Sequence, residues 1–158
     1  MPEKSCLVAV VKYNKGKKMS DCCSSSSCSL NSAPRKQHCP GNNALCSQVS
    51  QTTIFHHIKQ PWHWEAKEQA YYFCSDPDCE VVYFGQDNLI ITQSELRTEV
   101  GIKAKLPQSI ICYCFGVTYK DVSIDPDIKT FVIDKTKDHS CACETRNPSG
   151  KCCLKDFP

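Results

Sequence analysis

With 158 residues, the chain can form one medium-sized domain or two small ones, and its core must be limited in size. A formal net charge of +2 gives no bulk electrostatic reason to expect a nucleic-acid or membrane surface. The unusual component is cysteine, because 14 residues of this type approach the density that marks disulfide scaffolds and metal proteins.

The first segment, residues 1–38, is predicted to be a disordered tail rich in serine and cysteine. From Met19 it reads MSDCCSSSSCSLNSAPRKQ, which has no hydrophobic period and looks like a translation start, so the residues before it would be an upstream extension. Cys22, Cys23 and Cys28 could capture a soft cation such as Cu(I), since thiolates favour soft metals. The alternative is a flexible tail whose thiols have no role.

The cysteines are expected to stay reduced. The run CLVAVV at Cys6–Val11 is too short for the apolar part of a signal peptide, and its lysines follow it instead of preceding it. No stretch approaches the roughly 20 apolar residues that span a bilayer. The sequence therefore predicts a cytoplasmic protein without membrane insertion, in which clustered thiols bind metal and do not pair as disulfides.

The second segment, residues 39–106, is predicted to be a small β module. Within QAYYFCSDPDCEVVYFG, the runs Tyr71–Phe73 and Val81–Phe84 flank the polar stretch Ser75–Asp78, which favours strand, turn and strand. Leu89–Thr92 is a third candidate strand. A bound metal can replace the core that so small a sheet lacks.

Two cysteine pairs in this segment predict a zinc site of the zinc-ribbon type. Cys74 and Cys79 lie at inner strand ends with four residues between them, and Cys39 and Cys46 have six residues between them. Four thiolates complete the tetrahedral shell of a structural zinc, although the first loop exceeds the usual spacing of roughly two to four. Substitute ligands, ranked below the cysteines, are His38, His56, His57 and His63.

The third segment, residues 107–158, is predicted to be mainly helical. Thr118 followed by Asp121 forms a capping-box pattern, which predicts a short helix from about Tyr119. Asp125 could cap a second helix with three apolar side chains on one face. These are Ile128, Phe131 and Val132.

The third segment also holds a second group of cysteines. Cys112 and Cys114 are one residue apart, and 26 residues further on follow Cys141, Cys143 and the pair Cys152–Cys153. From the residues alone, two thiolate pairs suit either a 2Fe–2S cluster or a zinc clip. Both alternatives stay open at this point.

Local features would support a group of thiolates here. The first N–H groups of the Thr118-capped helix would point back towards the negative charge. In the turn Asn147–Gly150, proline fixes one φ and glycine supplies a positive φ, and the turn would expose N–H groups that can bond sulfur. Lys120, Arg146 and Lys151 would offset the charge.

Three stretches resemble known metal-binding families. CYCFGVTYKDV resembles the start of a bacterioferritin-associated-ferredoxin-like 2Fe–2S domain, with its C-x-C-x-x-V-T pattern and capped helix. YYFCSDPDCEVVYFG is similar to the zinc-binding module of CopZ-type copper chaperones, in which this module precedes the cluster domain. The ending NPSGKCCL departs from the usual closing C-x-x-C of the ferredoxin-like family and resembles the CopZ N-terminal region instead. The similarity runs from about Cys39 to the C-terminus.

The resemblance implies an α+β chain, with a small zinc-ribbon-like β module followed by a small helical 2Fe–2S cluster domain. The zinc ligands would be Cys39, Cys46, Cys74 and Cys79. The cluster ligands would be Cys112, Cys114, Cys143 and Cys153, with Cys152 as the alternative to Cys153. Cys141 has no counterpart and would be a spare thiol or an alternative ligand.

One departure from the resemblance concerns copper. A CopZ of this kind continues into a copper domain with an M-x-C-x-x-C loop, and no such motif occurs in this sequence. The resemblance still implies one-electron transfer linked to the handling of copper or another soft metal, such as reduction of Cu(II). The expected partners are a redox protein and a copper chaperone or transporter.

Other classes of function have less support. A non-redox zinc-binding or thiol metal-buffering module would explain the cysteines if the second group held zinc. A nucleic-acid binder is disfavoured by the nearly balanced charge. The sequence contains no P-loop, dinucleotide glycine motif or Ser/His/Asp pattern of an enzyme, so an electron-transfer or metal-handling protein is expected instead.

Overall fold

A five-stranded antiparallel sheet forms the first half of the part that the computed structural model describes, residues 33–158. Its strands lie side by side in chain order, so each pairs with the next along the sequence. The strands are β1 Lys36–His38, β2 Leu45–Val49, β3 Tyr71–Phe73, β4 Val81–Gly85 and β5 Ile90–Thr92. Between or after them lie helix α1, Gln51–His57, and two 3₁₀ helices, Pro61–His63 and Gln93–Glu95. The three predicted strands are confirmed.

Alternation along β3 places neighbouring side chains on opposite faces of the sheet. Tyr71 and Phe73 pack in the core that includes Ile54 of α1, whereas Tyr72 lies in the other core with the buried thiols. There Tyr72 stacks on Phe84, with the ring centroids 5.3 Å apart. All residues of β3 and β4 are buried, because both faces of the sheet are covered.

The second half of the described residues combines a two-stranded antiparallel ribbon with short helices. The ribbon consists of β6 Ile110–Cys112 and β7 Val117–Thr118. The helices are α2 Gly101–Ala104, α3 Tyr119–Ile124, α4 Asp127–Lys137 and α5 Cys143–Arg146, and a 3₁₀ helix covers Cys153–Asp156. None of the described helices is long and apolar enough to cross a membrane. The ribbon that carries Cys112 was not predicted.

Helices α3 and α4 begin where the sequence predicts. The Thr118 hydroxyl accepts a hydrogen bond from Asp121 N, and the Asp121 carboxylate accepts one from Thr118 N, which is the predicted capping box. Pro126 occupies the N-cap position of α4, and the carboxylate of Asp125 accepts a hydrogen bond from Asp127 N at 3.0 Å. Asp125 therefore supports the helix start from one residue before the cap.

The predicted apolar face of α4 is only partly buried. Val132 is 1% exposed, and Ile128 packs at the edge of the same cysteine-containing core. Phe131 is 47% exposed and contacts Phe115, with ring centroids 5.3 Å apart. Of the three predicted apolar residues, the helix therefore buries Val132, partly buries Ile128 and leaves Phe131 at the surface.

The turn Asn147–Gly150 joins the two halves of the chain. The Pro148 carbonyl accepts a hydrogen bond from the Tyr83 hydroxyl of β4 at 2.7 Å. Just before the turn, the Glu144 carbonyl accepts one from Thr53 Oγ1 of α1 at 2.6 Å. The segment that leads from Cys143 to Cys153 is thereby fixed on the sheet half.

Gly150 supplies the positive φ that the sequence predicts for this turn, at +65°. A Cβ at this position would lie 3.3 Å from both Thr53 Oγ1 and the Val49 side chain, so glycine also lets the turn lie close to α1.

The predicted domain boundary near residue 106 stays a prediction. The hydrogen bonds of the Asn147–Gly150 turn and of Glu144 to the sheet half cross this boundary.

His57 is buried in the same junction, with 4% of its surface exposed. Its Nδ1 lies 2.9 Å from Thr98 Oγ1. Burial lowers the pKa of His57 to about 4, and the nearby backbone of Thr145 and Asn147 offsets this only in part. The folded protein therefore keeps this imidazole neutral at pH 7.

Replacing Tyr83 by phenylalanine should lower the free energy of unfolding by about 1–3 kcal/mol, because the buried Pro148 carbonyl loses its donor. Urea unfolding of the metal-loaded protein measures the change. Tyr72→Phe is the matched control on the same sheet, since it removes a hydrogen bond to the exposed Pro34 carbonyl. If both variants lose the same free energy of unfolding, the hydrogen bond from Tyr83 to Pro148 has no special role in joining the two halves.

Acid should destabilise the wild type more steeply than a His57→Gln variant. The folded-state pKa of about 4 lies below the ordinary value of 6.5, so the unfolded chain binds the proton first. The contribution of His57 is complete above pH 6.5 and is lost as the pH falls towards 4, by up to about 3 kcal/mol. Urea unfolding at several pH values in this range measures how steeply the free energy of unfolding depends on pH in each protein.

The control for this titration is His63→Gln, which changes an exposed histidine. Zinc loss in acid is common to all three proteins, so the difference between slopes isolates His57. The positive charges of His56 and Arg97 act on His57 in the same direction as burial and stay in place in every variant. If the free energy of unfolding depends equally steeply on pH in the wild type and in His57→Gln, His57 is not a buried neutral imidazole.

Candidate metal centres

Four cysteines converge at one edge of the five-stranded sheet. Cys39 follows β1, Cys46 is the second residue of β2, Cys74 follows β3, and Cys79 lies in the turn before β4. Because neighbouring strands are antiparallel, the end of one strand and the start of the next meet at the same edge. The structure thus brings together all four predicted zinc ligands.

The four cysteine sulfurs of this sheet-edge set are close enough to one another to bind the same metal ion. Those of Cys39, Cys46 and Cys74 all lie within 4.8 Å of one another, and Cys79 Sγ is 3.8 Å from Cys39 Sγ. Zn–S bonds of about 2.3 Å in a tetrahedron place neighbouring sulfurs about 3.8 Å apart. Three of the four thiols are buried, as in a closed structural site. The donor set therefore fits zinc.

The loop after Cys39 depends on a glycine that the cysteine spacing did not reveal. Gly41 N donates a hydrogen bond to Cys39 Sγ at 3.4 Å. A Cβ at Gly41 would lie 2.9 Å from Cys79 Sγ and 3.0 Å from the Val81 side chain. Glycine therefore lets the loop approach both sulfurs, and its place two residues after a predicted ligand is the signal that could have identified it.

Polar contacts hold the two loops of the sheet-edge set together. Asn42 Nδ2 in the first loop donates to Asp76 Oδ2 in the second at 2.8 Å. Lys103 Nζ of α2 donates to the carbonyls of Asp76 and Cys79 at 2.6 and 2.7 Å. The long spacing of the first cysteine pair therefore does not prevent its thiols from meeting the second pair.

The thiols of this set differ in acidity. Burial raises the pKa of Cys74 to about 12 and also raises the pKa of Cys46. Burial acts on Cys39 too, but hydrogen bonds from the backbone of Gly41 and Asn42 outweigh it, so the pKa of Cys39 lies below its ordinary value. A divalent cation favours the thiolate form, so metal binding would release protons.

The four histidines considered as substitute ligands lie apart from the sheet-edge set. His38 is exposed, and its Nδ1 lies 2.8 Å from the Asn43 carbonyl oxygen. His57 is in the junction, and His56 and His63 are exposed. Within residues 33–158, the group of three close ligand atoms contains cysteines alone.

A second group of four cysteines lies in the C-terminal half. Cys112 ends β6, Cys114 lies in the turn before β7, Cys143 begins α5, and Cys153 begins the last 3₁₀ helix. All four belong to one apolar core, in which Cys114 is the partly exposed member. These are the residues that the resemblance selects as cluster ligands, a role that stays a prediction.

The sulfurs of this C-terminal set approach each other as two pairs. Cys114 Sγ is 3.7 Å from Cys143 Sγ, and the thiols of Cys112 and Cys153 are close enough to shift each other's pKa. Across the described part of the chain, three ligand atoms come within 4.8 Å of one another in the sheet-edge set and not in this one. The C-terminal set is therefore not arranged around a single point.

Acidity is also uneven in the C-terminal set. The hydrogen bond with the Cys153 thiol lowers the pKa of Cys112 to about 6, against burial and with help from the backbone of Phe115 and Cys114. The same hydrogen bond raises the pKa of Cys153, and burial raises the pKa of Cys143 to about 12. Cys112 is therefore the thiol that ionises first within this buried group.

Two groups stabilise the surroundings of Cys114. Ala142 N donates a hydrogen bond to Cys114 Sγ at 3.3 Å, and Arg146 Nη1 donates to the Cys114 carbonyl at 3.4 Å. The N–H comes from the residue that precedes Cys143, so the chain that delivers one sulfur also stabilises its neighbour. The expected role of Arg146 in offsetting negative charge stays a prediction.

Helix α3 does not direct its first N–H groups at the thiols, which corrects one expectation. Tyr119 N donates to the Ser109 carbonyl at 3.1 Å, and Lys120 N donates to the Pro107 carbonyl at 2.7 Å. The loop before β6 lies across the helix start and takes these donors. The capped helix therefore holds the ribbon in place and does not stabilise charge on sulfur.

Two further cysteines lie beside the C-terminal set. Cys152 is exposed, whereas Cys153 is 1% exposed, so the burial supports Cys153 as the fourth ligand. Cys141 is partly exposed. The other predicted metal-capturing thiols lie outside the described residues, and these are Cys22, Cys23 and Cys28.

Comparison with known proteins shows similarity in both sequence and structure to CopZ proteins. The family model of the CopZ zinc-binding domain matches residues 36–97, which contain the whole sheet-edge set. The chain is 32% identical over 120 residues to the copper chaperone CopZ of Archaeoglobus fulgidus, covering 73% of this chain and 57% of that protein. It is 30% identical to the X-ray structure of the N-terminal domain of Archaeoglobus fulgidus CopZ, with a TM-score of 0.60, covering 77% of this chain and 99% of that structure.

The antiparallel sheet with its buried sulfur set defines a zinc-binding class of protein. The chain spans little more than half of the curated relative but nearly all of the solved N-terminal domain. It belongs to the family of CopZ N-terminal domains. The expected CopZ-type zinc-binding module is thereby confirmed, and the 2Fe–2S site stays a prediction.

Gly41→Ala should weaken zinc binding by about tenfold or more, because the added methyl group would push against Cys79 Sγ and Val81. Anaerobic competition with a chromophoric zinc chelator measures the change. The matched control is Gly85→Ala in β4, where the new Cβ would meet the ends of flexible side chains that can rotate away. The prediction fails if both variants lose the same affinity.

Proposed function

We propose that the chain is a non-enzymatic metal-handling protein in which a structural zinc site supports a 2Fe–2S electron-transfer site. The observation that carries this proposal is the different geometry of the two cysteine sets. The sheet-edge set gathers three sulfurs within 4.8 Å of one another, whereas the C-terminal set forms two separate pairs. One arrangement suits a single tetrahedral ion, and the other suits two metal ions that each take one pair.

Zinc would be held by the sheet-edge set, which consists of Cys39, Cys46, Cys74 and Cys79. These residues connect four of the five strands, so one ion would replace several apolar contacts that the short strands cannot supply. The buried thiols with raised pKa values would be stabilised as thiolates by the ion. The zinc site is therefore expected to contribute to folding and not to electron transfer.

A 2Fe–2S cluster would be held by the C-terminal set, which consists of Cys112, Cys114, Cys143 and Cys153. When bound, such a cluster supplies one-electron chemistry and needs no proton donor or organic substrate. The chain contributes an apolar enclosure in which Cys112 and Cys153 are each 1% exposed. Backbone N–H groups donate to Cys112 and Cys114, which favours thiolate charge inside this enclosure.

Cys114 marks the side of the set that a redox partner could approach. It is partly exposed, and the neighbouring Phe115 contacts Phe131, which is 47% exposed. Arg146 lies on the same side through its hydrogen bond to the Cys114 carbonyl. An electron would therefore pass at an edge that combines aromatic surface with positive charge.

The link to copper rests on the name of the relative, which is a copper chaperone. By this likeness the partners would be a redox protein and a copper chaperone or transporter, and the electron could reduce Cu(II) to Cu(I). The proposed role of Cys22, Cys23 and Cys28 in capturing the ion stays a prediction, because these residues lie outside the described part.

Protein purified without oxygen should contain about two irons, two acid-labile sulfides and one zinc per chain. Cys153→Ser should abolish the visible absorption and the iron while zinc is retained, because it removes a buried sulfur of one pair. Metal analysis with visible and EPR spectra before and after dithionite measures both.

The matched control is Cys152→Ser, which changes the adjacent but exposed thiol and should keep iron, sulfide and zinc. Loss of iron from Cys152→Ser and not from Cys153→Ser would reverse the assignment of the fourth ligand. Wild-type protein that contains zinc alone, even after anaerobic reconstitution, would refute the cluster and favour a non-redox zinc-binding module.

A further inference from the structure

Residues 99–103, which include the start of α2, lie against the second loop of the sheet-edge set. Lys103 Nζ donates hydrogen bonds to two carbonyls of this loop, that of Asp76 at 2.6 Å and that of Cys79 at 2.7 Å. The second carbonyl belongs to a proposed zinc ligand. Hydrogen bonds from a charged amine are stronger than those between neutral groups, and two of them fix the loop at two points. Lys103 therefore holds the loop that delivers the Cys79 sulfur.

The same segment is hydrogen bonded to the ribbon that carries part of the C-terminal set. Gly101 N donates to the Tyr113 hydroxyl at 2.8 Å, and this hydroxyl donates to the Glu99 carbonyl at 2.7 Å. Tyr113 is the residue between Cys112 and Cys114. One phenol group therefore ties the turn between two proposed cluster ligands to the segment that holds the zinc loop.

Close packing makes residues 99–103 and the ribbon one unit. A Cβ at Gly101 would collide with the Ile110 carbonyl oxygen of β6, so glycine lets α2 lie directly against this strand. The Glu99 carboxylate accepts a hydrogen bond from the Ser109 hydroxyl at 2.6 Å, and Ser109 is buried. A displacement of the segment therefore has to move the ribbon as well.

We propose that Lys103 and Tyr113 are positioning residues that couple the two metal sites through residues 99–103. Zinc would fix the loop that Lys103 holds, and the segment would transmit this order through Tyr113 to the turn between Cys112 and Cys114. The proposal rests on the proposed function, because it takes the sheet-edge set as the zinc site and the C-terminal set as the cluster site. Coupling between two sites is reciprocal, so loosening either end should weaken binding at the other.

Coupling differs from two separate structural roles in its effect at a distance. Tyr113 belongs to the ribbon and not to the sheet-edge set, so its hydroxyl affects zinc either through the contact of Lys103 or through a general loss of stability. A general loss of stability would act equally with and without the Lys103 amine. Comparing Tyr113→Phe in these two backgrounds therefore separates the two explanations.

The test uses the full chain, purified without oxygen and with its metals bound. Zinc affinity is measured by competition with a chromophoric zinc chelator, and the rate of iron release is followed with an iron chelator. Tyr113→Phe should weaken zinc binding by about fivefold or more, and Lys103→Met should speed iron release by about fivefold or more. In the Lys103→Met background, Tyr113→Phe should cause no further change in zinc affinity, because the connection is already broken.

The matched controls are Tyr119→Phe and Lys105→Met. The first removes the hydroxyl of another partly buried tyrosine in the C-terminal half, and the second removes an exposed amine directly after α2. Both variants should keep the wild-type zinc affinity and the wild-type rate of iron release.

Unchanged zinc affinity in Tyr113→Phe would overturn the coupling and leave the proposed function intact. An effect of Tyr113→Phe that is equally large with and without the Lys103 amine would overturn it too. Wild-type protein that contains no iron would refute the proposed cluster, but the zinc competition would still decide whether Tyr113 is coupled to the sheet-edge set.

Discussion

The hydrogen bond from the Tyr83 hydroxyl to the Pro148 carbonyl is the contact on which the arrangement of the C-terminal cysteines depends. Pro148 lies between Cys143 and Cys153, so the position of this turn decides where both sulfurs enter the core. Thr53 fixes the preceding carbonyl of Glu144 in the same way. A buried carbonyl that loses its donor costs as much as the bond itself, so the turn has one favourable position on the sheet.

The same constraint explains why the two thiol sets differ. At the sheet edge, strand pairing alone brings the sulfurs together, and the loops are adjusted by Gly41 and by the Asn42–Asp76 contact. In the C-terminal half, the ribbon supplies one pair of sulfurs and the fixed turn supplies the other. The sulfurs therefore form two pairs because the ribbon and the turn are separate parts of the structure.

Much of this fold follows from local patterns in the sequence. Strands β3 and β4 are predictable because their aromatic and β-branched runs fill both faces of a sheet, and the Thr118 capping box is a pattern of four neighbouring residues. The ribbon strand β6 escapes prediction because its partner β7 has two residues, so no second apolar run marks a hairpin. The likeness of the stretch YYFCSDPDCEVVYFG to CopZ correctly identified the zinc-binding module.

The pairing of the C-terminal sulfurs could not be predicted from spacing. Cys112 and Cys114 have one residue between them, yet the close partners are Cys143 for Cys114 and Cys153 for Cys112. Long-range docking of the turn decides this, and no local pattern encodes it. The expectation that the first N–H groups of α3 point at the thiols is wrong for a related reason. Carbonyl groups of the loop before β6 accept hydrogen bonds from these N–H groups.

The chain-order pairing of the five strands also has a consequence for the order of assembly. Every strand contacts its neighbour in sequence, so the sheet can close with low contact order. The C-terminal set spans residues 112 to 153 and is complete only when Pro148 reaches the finished sheet. We therefore expect a nascent chain to form its sheet first, so that the C-terminal cysteines stay accessible to solvent until the turn around Pro148 docks on the sheet.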